Sequence, residues 1–147
     1  MSKKDGLDAF LRSKASTEPK IDWGARKDRW ISEITRLYDQ IKEWLAPLEK
    51  DEVVRYSTLT MTLQEDPIGS YQVDVLMLLV GKQRVEFRPK GTLIVGANGR
   101  VDIQGPRAMR TIVLRDGRWL IVERSPRVKT RPFDKDSLET VLKEVMA

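Results

Sequence analysis

Between Val53 and Glu123 the chain repeats one device: a short alternating or apolar segment, then a tight turn, with no room between segments for a helix. Leu59, Met61 and Leu63 alternate with Thr58, Thr60, Thr62 and Gln64, the period-two pattern of a strand with one dry and one wet face. Asp66-Pro67-Ile68-Gly69 predicts a turn. Residues 71–80 are almost wholly apolar after Asp74, so this strand is expected to be central and covered on both faces. Gly81-Lys82 leads into 83–88, where Val85 and Phe87 alternate with Arg84, Glu86 and Arg88; Pro89-Lys90-Gly91 predicts the next turn and 92–95 a further strand. Asn98-Gly99 and Asp116-Gly117 are the dipeptides preferred in type I′ hairpins. Parallel neighbours need a crossover of a dozen or more residues. The six or seven strands are therefore expected to form a mostly antiparallel meander.

Two helices flank it. Asp22 is a candidate N-cap for a long helix, along which Trp30, Ile34, Leu37, Ile41, Trp44 and Leu48 recur at alternating spacings of four and three, widened by Ile31, Tyr38 and Leu45. Pro47 is expected to end it near Leu45 or Ala46. A short C-terminal helix follows Phe133, capped by Asp134 or Asp136, with Asp136 and Glu139 at capping-box spacing. The expected fold is α+β: a long amphipathic N-terminal helix on a curved antiparallel sheet, then the short helix. Residues 1–20 read as a disordered tail with at most one helical turn, and 21–147 as a single domain.

Composition then removes function classes. The chain has neither Cys nor His, so disulfides, thiolate chemistry and histidine-dependent hydrolases and nucleases are excluded in their usual form. No cofactor is expected. The longest apolar run, 75–80, is six residues, far short of a membrane span, and the charged first twelve residues contain no apolar leader core. A cytoplasmic protein without membrane contact is expected.

The positive charge is localised. From Lys82 to Arg131 there are 13 Lys and Arg against 4 Asp and Glu. Arg124, Arg127, Lys129 and Arg131 follow one another without an intervening acid, and with Arg107 and Arg110 they form the first candidate partner-binding set. Arg84, Arg88 and Arg100 form a secondary basic face, on which Glu86 and Asp102 are expected to provide ion pairs. The leading reading is a small non-catalytic binding module, of adaptor, chaperone or immunity type, that recognises an acidic protein surface. A nucleic-acid-binding accessory protein using 124–131 is the alternative, although the aromatic residues are not interleaved with the basic ones as a stacking platform requires. A metal-dependent phosphodiesterase would need Asp74 and Glu86 to converge. Gly91, Gly96 and Gly99 lie among strand-like segments and read as β turns, not as a phosphate loop, which joins a strand to a helix. Homo-oligomerisation is compatible with each reading, and an unpaired sheet edge would be the natural place for it.

Overall fold

The structure, a computed structural model, describes residues 3–17, 22–92, 97–123 and 127–147. Asp22 caps the long helix as its sequence position suggests, its carboxylate accepting from the Ala25 N–H at 2.9 Å. This helix, α2, runs from Trp23 to Trp44, after α1 over Lys3–Thr17. Pro47 then sits in the first turn of a separate short helix, α3 (Ala46–Lys50). Trp30, Ile34, Leu37, Tyr38 and Ile41 are buried on one side of α2, while Leu48, expected on the same stripe, is exposed in α3. In α1, where at most one helical turn was expected, fifteen residues are helical, and Leu7, Phe10 and Leu11 stand exposed.

Seven strands follow in strict sequence order and antiparallel: β1 (Arg55–Glu65), β2 (Gly69–Val80), β3 (Gln83–Gly91), β4 (Gly99–Gln104), β5 (Met109–Arg115), β6 (Arg118–Glu123) and β7 (Lys129–Pro132). The last helix, α4, spans Lys135–Met146. The fold is thus the expected α+β arrangement of a long helix on a seven-stranded antiparallel sheet with a short helix at the end.

The individual segments differ from the sequence reading in three places. Pro89-Lys90-Gly91 is not a turn: β3 continues through it, with a register shift against β4 between Pro89 and Gly91. Of the strand expected over 92–95, residues 93–95 lie outside the described residues. Asn98-Gly99 is not a hairpin; Gly99 already pairs with Leu114 in the ladder. Beyond Glu123, where the alternating segments of the sequence end, Lys129–Pro132 supplies β7, which pairs with β6 from Glu123↔Lys129 to Leu120↔Pro132. Asp116-Gly117 does turn as expected, both residues having positive φ (51° and 76°).

β2 changes both its pairing and its covered face along its length. This strand pairs with β1 over Gly69–Leu79 but with β3 only over Leu76–Val80. Tyr71, Val73 and Val75 are buried in its first half and Leu76 and Leu78 in its second, so the covered face changes where β2 parts from β3. Val75 and Leu76 are both fully buried at that point, which explains why the segment is apolar at consecutive positions. Tyr38 of α2 fills the opening, its hydroxyl shared between the carbonyl oxygens of Asp74 (2.6 Å) and Phe87 (3.0 Å).

The core lies between the sheet and helices α2 and α4: Phe87, Val101, Ile103, Ile112 and Ile121 meet Trp30, Leu37, Ile41, Leu138 and Val141. Asp134 is the N-cap of α4, and its capping box is completed by Ser137 instead of the expected Glu139. Phe133, just before the cap, packs edge-on against Trp44 with ring centroids 5.7 Å apart.

Candidate functional site

Side chains on alternate residues of β3 and β4 divide as the sequence suggested. Val85, Phe87, Val101 and Ile103 are fully buried in the core, and Arg84, Glu86, Arg88, Arg100 and Asp102 share the other face, where Arg88 lies directly across from Asp102. Here the secondary basic set is largely spent on ion pairs. Glu86 accepts from Arg88 Nε at 2.7 Å and lies 3.3 Å from Arg84 Nε. Asp102 is buried, held by Arg100 Nε at 2.8 Å and Nη2 at 3.1 Å and by the Thr111 hydroxyl at 2.9 Å.

The described residues of the first candidate set divide between two places, Arg107 and Arg110 beside the end of α4 and Arg127, Lys129 and Arg131 at β7. Arg110 points toward α4 and pairs with Glu144. Lys129 and Arg131 both pair with Glu123 across the β6–β7 ladder, Lys129 Nζ at 3.7 Å. Arg124 lies outside the described residues. Arg127 is exposed and makes no ion pair among the described residues. Arg107 sits in the β4–β5 turn, anchored by its N–H to the Val145 carbonyl at 2.9 Å, with its side chain in no ion pair among the described residues. In sequence the run of cations looks like one patch. The hairpin that makes β7 instead sets Lys129 and Arg131 against an acid that precedes the run.

Asp74 and Glu86 do not converge. Leu76 pairs with Phe87, so the even-numbered Asp74 and Glu86 leave the sheet on opposite faces. Asp74 accepts from the Thr60 hydroxyl at 3.1 Å, while Glu86 serves two arginines. No group of three or more metal-ligating side chains occurs among the described residues.

What the structure does assemble is a cleft of about 740 Å³ at one end of the sheet, bordered by Arg55, Lys82, Arg84, Gln104 and the Gly105-Pro106 turn that carries Arg107. Arg55 pairs with Leu79 and Leu79 with Arg84, so two guanidinium side chains flank Leu79 on one face of three adjacent strands. Lys82 projects from the hairpin between the second and third of these strands. Glu86 is the one acid among the lining residues, and it is shared between Arg84 and Arg88. Arg55 and Lys82 make no ion pair among the described residues. The sequence reading missed both because they are distant from the basic block or isolated within it. The meander order held the signal: the start of β1, the end of β2 and the start of β3 must lie side by side.

A second concavity, about 730 Å³, runs between α3 and α4. It is apolar at its floor, with Trp44, Leu48, Leu142 and Met146, and its rim is mixed in charge, with Lys135 and Lys143 beside Asp136 and Glu139. The described helices include none long and apolar enough to cross a membrane.

No family model matches the chain. Neither a curated protein nor a solved structure shows significant similarity to it.

Proposed function

We propose that this protein is a non-catalytic binding module that receives an acidic protein surface at the basic end of its sheet, through Arg55, Lys82 and Arg84 with Arg107 beside them. One observation carries the reading: Arg55, Lys82 and Arg84 border a single open cleft whose one acid, Glu86, is shared between Arg84 and Arg88, and Arg55 and Lys82 make no ion pair among the described residues, whereas Arg100, Arg110, Lys129 and Arg131 each have a carboxylate partner. Cations without neighbouring acids attract an anionic surface and speed its encounter. Such a role needs neither of the two residue types the chain lacks, Cys and His.

A protein surface is favoured over a nucleic acid by the placement of the aromatic rings. Trp30 and Phe87 are buried, Trp119 is packed against Trp30 with centroids 6.0 Å apart, and no aromatic side chain lines the basic cleft. Stacking on exposed rings is what holds unpaired bases.

The test is fluorescence anisotropy with two labelled probes at physiological salt, a twenty-residue Asp/Glu peptide and a twenty-nucleotide oligo-dT. The peptide is expected to bind, and the triple variant K82Q/R84Q/R107Q to lose at least ten-fold in affinity. Unchanged peptide binding by that variant removes the cleft from consideration. Tighter binding of oligo-dT than of the peptide overturns the protein-surface reading.

A further inference from the structure

We propose that the free edge of β1 pairs with the β1 edge of a second copy, antiparallel and centred on Thr60, joining two seven-stranded sheets into one. The inference shares one side chain with the basic cleft, Arg55, and rests on none of the cleft's other side chains. β1 is hydrogen-bonded to β2 alone, in an unbroken register of eleven residue pairs from Arg55↔Leu79 to Glu65↔Gly69. Its other edge has no strand partner among the described residues, and Ser57, Thr58, Leu59, Thr60 and Thr62 are exposed. A long, regular edge without a bulge, proline or internal charge is a template for another strand. The opposite end of the sheet shows the usual protection: β7 has four residues, ends in Pro132 and carries Lys129 and Arg131. β1, at nearly three times that length, has no proline, no glycine and no charge between its ends.

The pattern of β1 specifies its own copy as the occupant. The strand reads Arg-Tyr-Ser-Thr-Leu-Thr-Met-Thr-Leu-Gln-Glu, with Arg55 and Glu65 equidistant from Thr60. Antiparallel pairing about Thr60 brings each Arg55 to the Glu65 end of the other copy, whereas parallel in-register pairing would set like charges side by side. Glu65 already accepts from Tyr71 and Thr92, so the attraction acts through the field of its carboxylate. The faces also match. Leu59 opposes Met61 of the second copy on one face; on the other, Thr58 opposes Thr62 and Thr60 opposes its own equivalent, pairs that favour sheet association. Leu59, 47% exposed in the single chain, becomes covered. Eleven opposed positions add roughly ten backbone hydrogen bonds.

The absence of cysteine makes single introduced thiols unambiguous reporters. Directly opposed residues of antiparallel strands have Cα atoms about 4.5 or 5.5 Å apart, within disulfide range. T60C is therefore expected to form a covalent dimer under mild oxidation. Thr58 lies four residues, or about 13 Å, along the strand from its own equivalent. T58C alone and T62C alone are expected to stay uncross-linked, and a mixture of the two to cross-link. Light scattering of the wild-type chain at 100 μM should give twice the chain mass. L59K, which places a charge against Met61 of the second copy, should weaken the dimer at least ten-fold while the monomer keeps its circular-dichroism spectrum. A wild-type chain that is monomeric at that concentration overturns the proposal. So does a dimer in which T60C fails to cross-link, or in which T58C alone cross-links as readily.

Discussion

Glu65 and Thr92 are 27 residues apart in sequence and doubly bonded in space: Glu65 Oε1 accepts the Thr92 N–H at 2.7 Å and Oε2 accepts its hydroxyl at 2.9 Å. Tyr71 donates to the same carboxylate at 2.8 Å, and Arg26 at the start of α2 donates to the Thr92 carbonyl at 2.7 Å. The tip of the β1–β2 hairpin, the end of β3 and the first turn of α2 are thereby fastened to one another where β2 and β3 have ceased to pair. Thr92 is fully buried, so without Glu65 its N–H and its hydroxyl proton would lose their acceptors in the interior, the hydroxyl oxygen keeping only the bond from Arg26 Nε at 3.3 Å.

Gly91 makes this contact geometrically available. Its φ is +139°, and a Cβ there would stand 2.1 Å from Glu65 Oε1. Gly91→Ala is expected to cost about 2–4 kcal/mol, combining backbone strain with displacement of the carboxylate. Glu65→Ala is expected to cost about 2–3 kcal/mol by orphaning the donors of Thr92 and Tyr71. The double variant should be no more than slightly worse than the poorer single variant, since both remove one contact. Urea unfolding of the three variants measures this, and full additivity would place the effect of Gly91 elsewhere.

Alkaline pH should loosen the same region. Burial raises the Tyr38 phenol well above its ordinary 10.0, with the Asp74 charge acting in the same direction. Burial also raises Tyr71, followed by its hydrogen bond to Glu65 and the charge of that carboxylate. The folded state therefore favours the protonated phenols. Their contribution is complete below pH 10 and is lost as pH rises from there toward the folded-state values. The urea midpoint is expected to be flat on this account from pH 8 to 10 and to fall above it. Y38F/Y71F should start lower at pH 8, by about 1–2 kcal/mol for each lost hydroxyl, and fall less steeply. A decline of equal slope in both proteins would assign it to other groups.

The sheet was legible in the sequence because strand periodicity and turn chemistry are local. Alternation in 83–88 and 100–104 placed Val85, Phe87, Val101 and Ile103 in the core, and Asp116-Gly117 turns as its composition requires; in 59–64 the same alternation marks a strand whose Leu59 stays exposed, because β1 is an edge of the sheet. The failures were at positions decided by distant neighbours. Asn98-Gly99 resembles a hairpin pair, yet the glycine serves the close approach of Trp30. Pro89-Lys90-Gly91 resembles a turn, yet it continues β3 with a shifted register. The basic cleft was invisible for the same reason: Arg55 and Arg84 are 29 positions apart and meet only through the pairing of β1, β2 and β3.

Gly99 gives a sharp test of that packing. A Cβ at this position would lie 2.1 Å from Trp30 Cζ3 and 2.6 Å from Cε3, and Trp30 is buried against Trp119. An indole ring held between a helix and a strand has no low-energy place to go. Gly99→Ala is expected to destabilise by about 1–3 kcal/mol through overpacking, and Gly99→Ala/Trp30→Phe to recover part of the loss by shrinking the ring. Thermal melts read this directly. A neutral G99A variant would mean that the β3–β4 connection moves to accommodate the methyl group.

The Arg100–Asp102 pair separates structural arginines from binding ones. Asp102 is 4% exposed and carries a two-point contact from Arg100 and a bond from Thr111. Removing one partner of a desolvated pair costs more than the pair contributes, because the other charge is left buried. Arg100→Ala, which strands Asp102, is expected to cost about 2–3 kcal/mol. Asp102→Ala should cost less, since the Arg100 side chain is 32% exposed and can turn to water. R100A/D102A should be milder than R100A. All three should bind the Asp/Glu peptide as the wild type does at temperatures where they are folded, because this pair lies outside the residues lining the Arg55–Lys82–Arg84 cleft. A ten-fold affinity loss in folded R100A would extend the partner-binding surface across the sheet face to β4.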